Sequence, residues 1–134
     1  MLGIMLDGVL VQDQPITEGR FDLRPHLQPF FVPGGEFALL VDRDPLKVEQ
    51  TSAWVVKHLT IRPKVTVYAD RVNLTLRDKV NFRVSSCRRL GITTLVDSDF
   101  ECVLKVGKEL PNITVIHLPS YLEETLLSLT KPAL

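Results

Sequence analysis

Long hydrophobic runs are missing from this chain. None approaches the roughly 20 apolar residues that carry a helix across a bilayer, so no helical membrane span is expected. Excess charge is missing too: sixteen basic residues balance sixteen acidic ones, giving a formal net charge of zero. That balance removes the general electrostatic case for binding nucleic acid or an anionic membrane surface. Cysteine is scarce. Cys87 and Cys102 stand alone, without the C-x-x-C spacing of a zinc or redox motif, and each falls at an apolar position of a helical pattern. Two buried free thiols in a reducing compartment are expected. The N-terminus has no basic segment ahead of its first apolar run, so the expected location is the cytoplasm. Asn73-Leu74-Thr75, a glycosylation sequon by letter, carries no weight there.

What is present is globular. The chain has 134 residues, 45% hydrophobic and 24% charged, enough for one domain with its own core. A single domain over residues 1–134 is expected. Its apolar runs are short, continuous and rich in branched side chains: "LGIML" (2–6), "FALLV" (37–41), "KVTVYA" (64–69), "TTLV" (93–96) and "ITVIHL" (113–118). Continuous rather than alternating apolar character marks strands buried on both faces, as in a parallel sheet.

Helical patterns lie between these runs. Asp44-Pro45 opens the first, which places Val48, Ser52, Val55 and Leu59 on one face with Trp54 beside it. The second runs from Asp78 to Leu90, with Val80, Val84 and Cys87 in a stripe and Gly91 as its stop. A capping box at Ser98-Asp99-Phe100-Glu101 starts the third, which continues through Val103, Leu104 and Leu110. A second box, Ser120 to Glu123, starts a last helix that buries Leu122, Leu126 and Leu129. Strand and helix therefore alternate from Phe37 onward. The pattern predicts a three-layer α/β/α sandwich, a Rossmannoid parallel sheet of about five strands with the first strand between the second and the fourth. Residues 12–35, with Pro15, Pro25, Pro29 and Pro33 and little periodicity, read as a flap or long loop.

In open α/β sheets ligands bind beyond the carboxyl ends of the strands. Here the first strand is followed by Asp7-Gly8 and the second by Asp42, Arg43 and Asp44. The third is followed by Asp70 and Arg71, the fourth by Asp97 and Asp99, and the fifth by His117 and Ser120. Aspartate also caps helices and opens turns, which accounts for Asp44. Asp7 and Asp97 are different: both should point into one crevice. His26, His58 and His117 are too dispersed for a metal cluster, and His117 reads as a packing residue.

The order of these parts resembles the haloacid dehalogenase (HAD) superfamily of phosphohydrolases. "MLDGVL" (5–10) sits at the family's first motif, Asp-x-Asp-Gly, and "LLVDRD" (39–44) at its second, which ends in Thr or Ser. "RDKVNFRVSSCRRLGITTLVDSD" (77–99) covers the third and fourth, a lysine opening a helix and then an acidic pair after a strand. The resemblance implies a phosphatase fold in which Asp7 is the acid–base residue, Lys79 binds the phosphoryl group, and Asp97 with Asp99 holds magnesium.

Two departures bear on activity. Met5 stands where the family has its nucleophilic aspartate; a thioether forms no acyl phosphate and is a poor ligand for a hard cation. Asp42 stands at the substrate-binding hydroxyl position, where its carboxylate would repel phosphate by about 4 kcal/mol at about 4 Å and an effective dielectric of about 20. The expectation is therefore a non-catalytic, HAD-like pseudophosphatase that acts by binding, with magnesium weak or absent. Its partner would be an unidentified protein or small molecule, with no role for nucleic acid or membrane. Without room for a cap domain, a homo-oligomer is also expected. The alternative is a magnesium-dependent phosphohydrolase with a non-standard site, in which Asp7 serves as nucleophile and Val9 falls at the acid–base position. A receiver-type phosphoacceptor domain fits worse, because "IHLPS" after the fifth strand lacks the lysine that such domains carry.

Overall fold

The computed structural model describes residues 1–11, 28–43, 45–70 and 74–119. Asp44, Arg71, His26, most of the expected flap and the last expected helix lie outside these residues. Among the described residues, five strands form one sheet: β1 (Leu2–Met5), β2 (Phe37–Val41), β3 (Val65–Tyr68), β4 (Thr94–Asp97) and β5 (Thr114–His117). Their order is β3-β2-β1-β4-β5 and every pairing is parallel, so β1 is central between β2 and β4 as expected. The three inner strands hold the core. Ile4, Met5, Phe37, Leu39, Leu40 and Leu95 are essentially inaccessible, each stabilising the fold by roughly 1.5–3 kcal/mol.

Among the described residues, three helices, α1 (Val48–His58), α2 (Leu76–Leu90) and α3 (Phe100–Glu109), cover the sheet. Pairing register separates its two faces. Met5, Leu40, Asp97 and His117 share one, and Ile4, Val41, Tyr68 and Val96 the other. Right-handed crossovers place α1 on the second face, with Ser52 near Tyr68, while α2 and α3 lie on the first, through Arg83–Asp97 and Phe100–His117 contacts. With helices on both faces, the architecture is a three-layer α/β/α sandwich. Gly3 permits the close approach of the chain after α2: a Cβ there would sit 2.8 Å from Ile92 Cδ1.

Several local expectations need correction. On α1 the buried residues are Thr51, Trp54 and Val55, followed by Leu59, and Ser52 is exposed. Trp54, the bulkiest apolar side chain, takes the core-facing position and rotates the stripe around itself. A short 3₁₀ turn, Pro45–Lys47, precedes this helix. α2 starts two residues earlier than expected, because Thr75 is its N-cap and forms a reciprocal capping box with Asp78. Gly91 ends α2 in the left-handed conformation, as expected. On α3 the cap is Asp99 and not Ser98, since Asp99 Oδ1 accepts from the Cys102 N–H at 3.2 Å. Its buried residues are Cys102 and Val106, one turn apart, and Leu104 is 49% exposed. Both cysteines are free and buried, as expected. No helix among the described residues is long and apolar enough to cross a membrane.

Candidate functional site

The carboxyl ends of β1, β2 and β4 bring Asp7, Asp42 and Asp97 to one edge of the sheet. Each meets an arginine. Asp7 follows β1 by two residues, and Gly8 turns the chain sharply behind it with φ 82°, a conformation that side chains rarely adopt. The turn is closed by the Gly8 N–H donating to Val11 O at 2.9 Å. Arg43, just beyond β2, grips the Asp7 carboxylate in two-nitrogen fashion, with Nε 2.8 and 3.0 Å from the two oxygens and Nη2 2.8 Å from Oδ1. Arg43 is nearly buried, while 32% of the Asp7 side chain still meets solvent. Desolvation raises the proton affinity of the Asp7 carboxyl above the ordinary value, and the Arg43 charge and hydrogen bond oppose that shift.

The second cluster is deeper. Arg83 projects from the middle of α2 with only 3% of its side chain exposed. Its Nε lies 2.6 Å from Asp97 Oδ2, its Nη2 lies 3.0 Å from Asp42 Oδ2, and its Nη1 donates to the Lys79 carbonyl at 3.1 Å. Every guanidinium nitrogen is thus engaged, a match to the planar fork that a lysine could not supply. Burial works against the Arg83 charge, but Asp42 and Asp97 outweigh it and hold the proton more tightly than usual. Asp97 Oδ1 also accepts from the Asp99 N–H at 3.1 Å, so both of its oxygens are occupied.

Two further contacts tie the clusters to the loop after β4. Ser98 Oγ donates to the Asp7 carbonyl at 3.2 Å, and His117 Nε2 lies 3.2 Å from the Ser98 carbonyl with its ring against Phe100. His117 is therefore a packed and hydrogen-bonded residue, as expected.

Asp7, Asp42 and Asp97 come together at one edge. Asp99 sits beside them, with its carboxylate capping α3. Lys79 joins through its backbone carbonyl, while the side chain that reaches the carboxylates is Arg83, one turn further along α2. Met5 is 1% exposed and belongs to the core. Among the described residues, no group of three or more His, Cys, Asp or Glu is arranged to hold a metal ion. Arg43 and Arg83 are the residues that sequence reasoning missed. Arg83 had a signal: it is a lone charge on the buried stripe of Val80, Val84 and Cys87.

Comparisons with family models, with curated proteins and with solved structures find no match to this chain.

Proposed function

We propose that this chain is a non-catalytic protein of the haloacid dehalogenase type, which acts by binding a partner or ligand rather than by hydrolysing phosphate esters. The observation that carries the reading is the two-nitrogen grip of Arg43 on Asp7. The one carboxylate retained from the family's first motif is held in an ion pair, and the nucleophile's place is filled by buried Met5. The donors as arranged do not fit magnesium. That ion takes near-octahedral oxygen ligands at about 2.0–2.1 Å, whereas Asp97 has both oxygens engaged and the Asp99 carboxylate caps a helix. A cytoplasmic location and a homo-oligomeric state belong to the same proposal.

The test is hydrolysis of a generic aryl phosphate with magnesium. The wild type should be inert, because Arg43 holds Asp7 and Arg83 holds Asp97. Wild-type turnover abolished by Asp7→Asn would overturn the reading in favour of a phosphohydrolase that uses Asp7 as its nucleophile.

A further inference from the structure

We propose that Arg83 is the resident cation of this crevice, a fixed guanidinium that holds the carboxylates of Asp42 and Asp97 in place of a divalent metal ion. The inference deepens the non-catalytic reading and rests on it. Three observations carry it. Arg83 is the one charged residue on the buried face of α2, beside Val80, Val84, Ser86 and Cys87. It bridges carboxylates from two different strand ends, Asp97 at 2.6 Å and Asp42 at 3.0 Å, as a shared metal ion would. Its third nitrogen is satisfied by its own helix, through the Lys79 carbonyl at 3.1 Å, so the fork is anchored and not free to leave. Its charge also reaches the Asp7 carboxyl, which it helps to keep ionised.

Such a cation makes the crevice indifferent to divalent metals, and removing it should create a need for one. In Arg83→Met, Asp42 and Asp97 would face each other with no counter-charge between them, an arrangement that a hard oxygen-seeking ion relieves. Thermal unfolding of the full chain is followed with and without MgCl₂ or MnCl₂ at about 10 mM, against NaCl of matched ionic strength. The wild-type midpoint should not respond to either metal. The Arg83→Met midpoint should rise saturably by roughly 4 °C or more, and Arg83→Lys, which keeps a charge, should respond far less. If Arg83→Met is unfolded without metal, magnesium or manganese should restore its ellipticity.

A saturable wild-type response to magnesium would overturn the inference. So would an Arg83→Met protein, folded or unfolded, that no divalent ion affects, or an Arg83→Lys response equal to that of Arg83→Met. These outcomes are separate from the phosphatase assay. A catalytically inert wild type whose Arg83→Met variant ignores metal defeats this inference alone, whereas wild-type turnover defeats the functional reading beneath it.

Discussion

Two ion pairs of similar length sit in very different places. Lys64 and Glu36 meet at 2.8 Å on the surface, with 62% and 61% of their side chains exposed. Arg83 and Asp97 meet at 2.6 Å with 3% and 1% exposed. The distances alone would rank them as near equals, but solvent separates them. Water screens the surface pair and solvates either partner if the other is lost. The buried pair has no such refuge: losing one partner leaves the other charge stranded. Arg43–Asp7 lies between, with one nearly buried member and one that still meets solvent. Burial, not separation, should therefore set the order in which substitutions are felt.

The largest effect is expected at the deepest pair. Asp97→Leu should cost about 3–5 kcal/mol in chemical denaturation, because it strands Arg83 with Asp42 as its remaining carboxylate. A cost below about 1 kcal/mol would show that the buried pair behaves like a surface one. Next comes Asp7→Ala, which removes the carboxylate that nearly buried Arg43 grips; a loss of about 1–3 kcal/mol is expected in the same measurement.

The thiols beside Arg83 sharpen the comparison, since burial governs them despite that nearby charge. Desolvation pushes the Cys87 thiol up to about 11 and the Cys102 thiol up to about 12, although Arg83 pulls both down. In the unfolded chain both should ionise near about 8.5. Because the folded values are raised, their contribution to stability is complete below about pH 8.5 and is lost as pH climbs from there toward about 11. Denaturation midpoints measured across that range should fall, and a Cys87→Ala/Cys102→Ala variant should fall less steeply. Native protein at neutral pH should react with a thiol reagent only after denaturant is added. The smallest effect is expected at the surface, where Glu36→Gln should leave the denaturation midpoint unchanged at both low and high salt.

The same contrast explains what could be read without a structure. Continuous apolar runs such as Phe37–Val41 announced buried parallel strands, because a run with no polar alternation has no face to give to water. The meeting of Asp7, Asp42 and Asp97 followed from topology alone, as parallel strands deliver their ends to one edge. Helix faces were less legible. In α1 the spacing allowed two stripes, and the volume of Trp54 decided between them. In α3, Ser98 and Asp99 are both good caps, and only the pull of the Asp7 carbonyl on Ser98 separates them. The arginines were hidden for another reason. Arg43 sits between two aspartates in "VDRD", where a solvated loop is an adequate account, and whether a guanidinium turns inward depends on partners distant in sequence. Arg83 and Asp97 are fourteen residues apart, and Arg43 and Asp7 thirty-six.

The claim that the crevice carboxylates are held by buried arginines is tested most directly by a double-mutant cycle. Unfolding free energies are measured for the wild type, Arg83→Met, Asp97→Leu and the double variant, in low salt and in about 1 M NaCl, where the Debye length is about 3 Å. The account predicts a coupling of about 2–3 kcal/mol that persists in high salt, with the double variant more stable than the simple sum of the two losses implies. A coupling near zero, or one that disappears in high salt, would contradict it.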